Sequence, residues 1–572
     1  MQTESTLSTL KERGLFFSLW GIIVFTSLMM PFFQENDLPF LLNDGRYIEA
    51  RGLPTEDPFT MHDGMKFVMQ QWLTTVIFWK VYTWFGIEGL YALGALTGMA
   101  TLYGFYRLCL MVSKQNVGFS LIMLLVFGGF MNLIFFRIRP QSFSALLLMF
   151  AVLALEKYYR TQNKKYLLAM PVLSVALINL HGAIWPLIIV VMLPYIAASL
   201  RLPTVAGYFE LGDRACLVPL LVTAAVVVAA AFVNPYGWEA IVYGANSYGS
   251  EALKNGVKEL QPLTVRLEIG KIFFPLFLLI VAILAKRKTK LTYALFSLGF
   301  MYMSLDSIRN MIFFILFGLL PLAEYFADRE IFSQEGAKAV SSVTRRQIML
   351  LLVSVALLAG SVGSAVSDIA ADFSENMIPF KEFVLILAIF SAAFAVYFGC
   401  RWQIMKFSLE GGERKKIIGF GFAMFLILSV AASIIGAKVP QKNYYISAEP
   451  GLRYIVEHDP RPGLSLWINA NLGSYAGFYG FKPYMDTRME LFFKKNNGQF
   501  DYFEEMQELE AGLIHYRDFL AKYDFDYILT KEGDLLDTYL PHDGDYEVIY
   551  EYESETDPKT KERYHLFRLK AK

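Results

Sequence analysis

Asn43-Asp44-Gly45-Arg46-Tyr47, continued by Gly52-Leu53-Pro54-Thr55-Glu56-Asp57-Pro58, stands directly behind an apolar run from Leu15 to Phe33. That run is long enough to cross a bilayer, which takes about 20 helical residues. Acids, an arginine and turn residues placed just behind a span belong to a loop at the membrane surface. The question is then whether such spans recur along the chain.

They do. Of 572 residues, 55% are hydrophobic and 16% aromatic, and the 18% that are charged come in clusters. The apolar blocks between the clusters have the length of membrane-crossing helices. The formal net charge is zero, so the placement of charge says more than its sum, and no nucleic-acid partner is expected. Lys11 and Arg13 precede the first span and put the N-terminus in the cytoplasm. No cleavable signal peptide is expected, because Leu15–Phe33 is too long for one. Residues 34–88 then form the first external loop. Within it, Trp72 to Phe85 is short and carries Trp72, Trp79, Trp84 and a central Lys80. That composition predicts a helix lying in the interface rather than crossing.

With that helix not crossing, the remaining blocks alternate in direction. They are Gly89–Val112, Val117–Phe136, Phe143–Leu155, Leu167–Leu180, Ile184–Leu200, Leu217–Val233, Ile272–Ala285, Thr292–Leu305, Met311–Phe326, Ile348–Val366, Phe383–Phe398 and Ile417–Ala437. Every dense Lys/Arg cluster, such as Lys286 to Lys290 and Arg414 to Lys416, then falls on the cytoplasmic side. The expected fold is a polytopic α-helical membrane protein of about 13 transmembrane helices, residues 1–437. Residues 438–572 are polar and read as an extracytoplasmic α/β domain. Tyr445–Asp459 and Glu504–Tyr523 look helical, Leu464–Ile468 and Tyr527–Thr530 look like buried strands, and Tyr546–Glu553 with His565–Leu569 alternates like an antiparallel pair. Cys109, Cys216 and Cys400 lie in or at the ends of apolar spans and offer neither a disulfide framework nor metal-ligand spacing.

This topology gathers a distinct set of residues on the outer face. The first loop supplies Asp44, Arg46, Glu56, Asp57, His62 and Asp63, and later loops supply Arg137, Arg139, His181, Asn234, Glu259, Gln261, Asp306 and Arg309. Outward span ends carry few cations, so Arg137, Arg139 and Arg309 stand out, and a boundary arginine needs a partner. That partner is either a carboxylate or a phosphate, which a guanidinium matches with two parallel hydrogen bonds. Phosphate and carboxylates together suit transfer from a lipid-phosphate donor. A carboxylate would take the proton of an acceptor hydroxyl, and arginines would neutralise the departing phosphate. There is no GxSxG, P-loop or Rossmann glycine pattern, and His62 and His181 are not spaced as a metal pair.

Several short motifs in order resemble the GT-C superfamily of membrane glycosyltransferases, the group containing protein O-mannosyltransferases and the bacterial aminoarabinose transferase. They are Asp44-Gly-Arg-Tyr with Gly52-Leu-Pro-Thr-Glu-Asp-Pro58, Gln71-Trp-Leu73, Arg137-Ile-Arg-Pro140, Asn179-Leu-His-Gly182, Asn234-Pro-Tyr-Gly237, Arg309-Asn310, Leu472-Gly-Ser-Tyr and Met485-Asp-Thr-Arg-Met-Glu490. The resemblance implies inverting transfer of a hexose or pentose from a polyprenyl-phosphate sugar to a glycan, lipid or protein acceptor at the outer face of a bacterial plasma membrane. It implies Asp44 as the essential acid, assisted by Glu56 or Asp57. Taken with the charge argument, the reading places Arg46, Arg137, Arg139 and Arg309 at the donor phosphate, and His181, Gln141, Asn234 and Glu259 in polar contact with substrate. Gln141 stands where some relatives have aspartate, which leaves the second acid open. The resemblance leaves room for a divalent ion, magnesium or manganese, with no ligand set assigned. An inactive scaffold of the same fold, or a lipid or sugar flippase, is the alternative. Asp486, Arg488 and Glu490 read as a salt-bridge cluster internal to the tail.

Overall fold

Asn43, Asp44 and Gly45 look like loop residues, but in the computed structural model they lie inside a helix, α1 (Leu38–Arg51). The structure describes residues 37–116, 119–120, 123–124, 138–248, 258–327, 447–554 and 562–570. Pro39 suits the first turn of α1, where its missing N–H costs nothing. Gly52, at φ 82°, ends the helix and donates its N–H to the Ile48 carbonyl at 2.9 Å. Leu38 through Gly45 are all buried. A Cβ on Gly45 would lie 2.2 Å from the Thr75 carbonyl oxygen and 2.6 Å from the Trp79 Cβ. Glycine is therefore what lets α1 press against α2 (Trp72–Val112), and this close packing outweighs the poor helix propensity of Asn43-Asp44-Gly45.

Helix α2 is broken at Gly86, whose φ 66° and ψ −162° no helix contains. The segment Trp72–Phe85 is thus a separate arm from the long apolar stretch behind it. Two of its three tryptophans face protein. Trp72 Nε1 donates to Asn179 Oδ1 at 2.9 Å and Trp79 Nε1 to Glu49 Oε2 at 2.5 Å. Lys80 also pairs with Glu49. Trp84 alone is open, at 69% exposure.

Among the described residues, five helices are long and apolar enough to cross a membrane: Trp72–Val112, Pro140–Thr161, Lys164–Ile184, Ile269–Lys286 and Ile308–Tyr325. Shorter apolar helices cover Leu187–Leu200 and Arg214–Ala230, and Leu291–Asp306 is a further helix. These coincide with eight of the expected spans. Leu15–Phe33, Ile348–Val366, Phe383–Phe398 and Ile417–Ala437, with most of Val117–Phe136, lie outside the described residues.

Within the bundle, α3 (Pro140–Thr161), α4 (Ala169–His181), α5 (Leu193–Leu200), α6 (Leu217–Ala230), α7 (Glu268–Lys286) and α8 (Leu291–Asp306) surround one apolar core. Glu156 on α3 is 2% exposed yet fully satisfied. It accepts from Arg160 Nε and Tyr293 OH at 2.6 Å each and from Tyr195 OH at 3.0 Å. A buried carboxylate is tolerated only when paired in this way, and here it ties α3, α5 and α8 together. Cys109 and Cys216 are buried, and Cys400 lies outside the described residues.

The C-terminal segment folds around a five-stranded sheet of order β2-β1-β3-β5-β4. Its strands are β1 (Ser465–Trp467), β2 (Lys482–Pro483), β3 (Tyr527–Lys531), β4 (Tyr546–Ser554) and β5 (Glu562–Leu569). The first three run parallel; β5 pairs antiparallel with β3 and β4. Helix α9 (Glu449–His458) precedes β1, and α10 (Ala470–Phe478) crosses from β1 to β2. The helix expected over Glu504–Tyr523 is two helices, α11 (Tyr502–Glu510) and α12 (Tyr516–Lys522). Gly512, at φ 72°, turns the chain between them. One face of the sheet buries Leu452, Leu466 and Leu529. Trp467, Ile528 and Phe567 instead share a core with Phe59, Met65, Phe67 and Met69 of the first-loop segment. That segment is therefore a built part of the C-terminal core, which holds it over α1.

Candidate functional site

Helix α10 brings α1 and the end of β2 together. Asn43 Nδ2 donates to the Gly477 carbonyl at 3.2 Å. A Cβ on Gly473 would sit 2.0 Å from the Met485 carbonyl oxygen, so α10 lies directly on the chain leaving β2. That chain reads Asp486-Thr487-Arg488, at the carboxyl end of the parallel strands, where open α/β sheets place ligands.

Arg488 is the hub. It donates to Asp486 from Nη2 at 2.6 Å and from Nε at 3.1 and 3.0 Å, and to Asp57 Oδ1 from Nη1 at 2.8 Å. Phe59 and Phe67 rings lie 5.0 and 4.9 Å from its guanidinium carbon. Asp57 Oδ2 also accepts from the Thr60 N–H and hydroxyl at 3.1 and 2.7 Å. The cluster expected to be internal to the tail therefore reaches across to the first-loop segment.

Asp44 faces this hub differently. It is 1% exposed, and neither carboxylate oxygen has a hydrogen-bond partner among the described residues. Burial pushes its proton affinity from the ordinary 3.8 up to about 8, against the pull of Arg488 and with the push of Asp486 and Asp57. A buried, unsatisfied acid is costly. Such groups concentrate where chemistry is done.

A second cluster is built from helix ends. Arg139 precedes α3 in extended backbone, and Arg309 sits in the turn Ile308–Asn310 after α8. Both reach Glu259: Arg139 Nη1 to Oε2 at 3.5 Å and Arg309 Nη1 to Oε1 at 3.8 Å. Arg139 Nη2 also lies 3.6 Å from Asp37 Oδ2. The turn Lys258–Leu260 is clasped by α8's end, with Ser307 Oγ donating to the Glu259 carbonyl at 3.2 Å. His181 is buried, with Nδ1 2.7 Å from Ser144 Oγ. The next residue, Gly182, donates its N–H to the Gln70 carbonyl at 2.8 Å, and Gln70 Nε2 donates to Glu490 Oε1 at 3.2 Å. Gln70 Oε1 is buried without a partner among the described residues. Burial and Asp37 raise the proton affinity of Glu490, while Arg309 and Arg488 lower it. Glu490 thus feels both Arg488 and Arg309.

From the expected set the structure groups Asp44 and Asp57 around Arg488, groups Arg139 and Arg309 on Glu259 with His181 under the field of Arg309, and places others elsewhere. Glu56 is exposed and makes a backbone bridge with Lys66. Arg46 donates to Asn43 Oδ1 at 2.6 Å and to the Phe478 carbonyl at 3.2 Å, so it braces the α1–α10 junction. Asn234 closes its own turn, donating to the Ala231 and Gly237 carbonyls and accepting from the Tyr236 N–H. Gln141 is half-buried in the first turn of α3. Arg137 lies outside the described residues. His62 is stacked on Tyr502 at 3.8 Å with Nε2 2.8 Å from the Tyr484 carbonyl, a packing role. Asp37, Gln70, Arg488 and Glu490 were not in the expected set; the signal for the last two was their position directly after a short strand.

No group of three or more His, Cys, Asp or Glu side chains that could hold a metal occurs among the described residues. Asp57 and Asp486 both engage Arg488, so among the described residues of this hub Asp44 has no second uncommitted carboxylate to share an ion with.

No protein-family model matches the chain, and no curated protein sequence does. Solved structures do resemble it. ArnT from Cupriavidus metallidurans in the apo state aligns over 98% of this chain and 98% of its own, at 14% identity and TM-score 0.49. The same protein bound to undecaprenyl phosphate covers 95% and 96%, at 13% identity and TM-score 0.39. The Archaeoglobus fulgidus oligosaccharyltransferase, tethered to an acceptor peptide, covers 95% of this chain and 73% of its own, at 12% identity and TM-score 0.48.

Proposed function

We propose that this protein is a multi-pass membrane glycosyltransferase. It moves a sugar from a polyprenyl-phosphate donor to an acceptor hydroxyl at the outer face, with inversion at the anomeric carbon. The observation that carries this reading is Asp44, a buried acid whose two oxygens have no partner among the described residues and whose proton affinity lies near neutrality. A general base works best when its proton affinity lies close to the working pH. Asp44 takes the acceptor proton as the hydroxyl attacks the anomeric carbon. Arg139 and Arg309 take the charge that develops on the departing polyprenyl phosphate. Asp57 serves by fixing Arg488, and Arg488 by keeping the hub from becoming wholly anionic. His181 and Gln70 orient polar groups of the substrates. The GT-C motifs around Asp44 and Arg139 agree with this division of roles.

The test is the pH dependence of transfer. A base that must lose its proton at about 8 gives a rate that climbs about tenfold per pH unit below that point and levels above it. A rate flat from about pH 6 to pH 9 removes Asp44 from the reaction.

A further inference from the structure

Glu259 occupies the position where the proposed reaction needs an anion. Its two carboxylate oxygens are divided between two arginines from different helix ends, Oε2 toward Arg139 and Oε1 toward Arg309. The contacts are long, 3.5 and 3.8 Å, where a well-formed charged hydrogen bond is about 2.7–2.9 Å. The Glu259 side chain is 41% exposed, whereas Arg139 and Arg309 are 17% and 26% exposed. The cations are thus the more enclosed partners, and the carboxylate reaches them from the open side. The donor phosphodiester matches a carboxylate in charge but is tetrahedral, and the polyprenyl phosphate monoester that departs carries more charge and more acceptor oxygens, which suits two forked donors better.

We propose that Glu259 is an internal stand-in for the donor phosphate, which holds Arg139 and Arg309 together in the empty protein and is displaced when the lipid phosphate arrives. This rests on the reading of Arg139 and Arg309 as the phosphate site. It has a consequence opposite to that of an ordinary bracing residue. A brace, when neutralised, lets the arginines drift and weakens phosphate binding. A competitor, when neutralised, makes room and strengthens it.

The experiment measures binding to the purified full chain of three probes: undecaprenyl phosphate, undecaprenol and inorganic phosphate. Wild type is compared with Glu259→Gln, Glu259→Asp, Arg139→Gln and Arg309→Gln, with the Tm of each recorded. Glu259→Gln should bind undecaprenyl phosphate roughly three- to tenfold tighter, the scale of one partly exposed ion pair. Undecaprenol should be unaffected, and Glu259→Asp should stay near wild type. A parallel gain for inorganic phosphate would identify the phosphate group alone as the ligand; a gain confined to the lipid would tie it to the chain as well. Unchanged or weaker lipid-phosphate binding by Glu259→Gln at normal Tm overturns the proposal. The parent reading fails separately, if Arg139→Gln and Arg309→Gln bind undecaprenyl phosphate as wild type does.

Discussion

Replacing Asp44 with asparagine should stabilise the folded protein increasingly as pH rises. In the unfolded chain the carboxyl ionises near its ordinary 3.8; in the fold it keeps its proton until about 8. Between those points unfolding releases a proton, so the wild type loses stability as pH climbs, and the loss levels off above about 8. Each tenfold in proton affinity is worth about 1.4 kcal/mol, which puts the plateau penalty at roughly 6 kcal/mol. About 4 kcal/mol of it accumulates between pH 5 and pH 8. Asparagine keeps the shape and abolishes the titration. Its buried amide carries a cost of about 1–3 kcal/mol, but one that does not change with pH. The assay is the Tm of both proteins in the same detergent from about pH 5 to pH 9, where all other titrating groups cancel in the difference. At about 1–2 °C per kcal/mol for a large chain, the gap in favour of Asp44→Asn should widen by roughly 4–8 °C. A gap that stays flat, or narrows toward high pH, would refute the picture of a buried, unpartnered acid.

Other consequences follow from the same contacts. Arg488→Met leaves Asp57 and Asp486 buried without their cation, and should cost about 3–5 kcal/mol; Tm and protease sensitivity of residues 447–554 read it, and a wild-type Tm would contradict it. Gly45→Ala puts a methyl 2.2 Å from the Thr75 carbonyl oxygen, so α1 must lift from α2. The expected loss is about 1–3 kcal/mol, with Gly52→Ala, where nothing lies within 4 Å of the added carbon but φ is 82°, as a strain-only control. Burial holds His62 down to about 4 from 6.5. The unfolded chain therefore takes up a proton first, and stability is full above 6.5 and falls by roughly 3 kcal/mol as pH drops to 4. His62→Gln should flatten that acid limb in a Tm series, and an unchanged slope would count against it.

The eight apolar helices among the described residues were legible because crossing a bilayer imposes long apolar runs, and the break between Trp72–Phe85 and the following helix shows in the sequence as Gly86. Helix α1 was not legible. Asn43, Asp44 and Gly45 favour a turn locally, and only contacts with Thr75, Trp79 and Gly477 make them helical. Residues 504–523 carry one apolar periodicity, but Gly512 divides it. The arginines were found by charge logic, since Arg139 and Arg309 sit at span ends where cations are rare. Their shared partner Glu259 came from another turn, and whether carboxylate or phosphate was the partner could not be separated by composition. Asp57 was expected to assist Asp44. The difference between them lies in Arg488, 431 residues further on, a contact that no local pattern encodes.

If Asp44 removes a proton during sugar transfer from a lipid phosphate, its loss stops turnover while the donor still binds. The direct measurement is release of polyprenyl phosphate from a panel of polyprenyl-phosphate sugars, with candidate acceptors present, at about pH 9. Wild type and Asp44→Asn are run side by side, each also tested for binding of the donor lipid. Wild type should release polyprenyl phosphate, and the variant should keep donor binding but lose turnover by at least about a hundredfold. Equal release by both proteins, or donor binding without release by either, would contradict it.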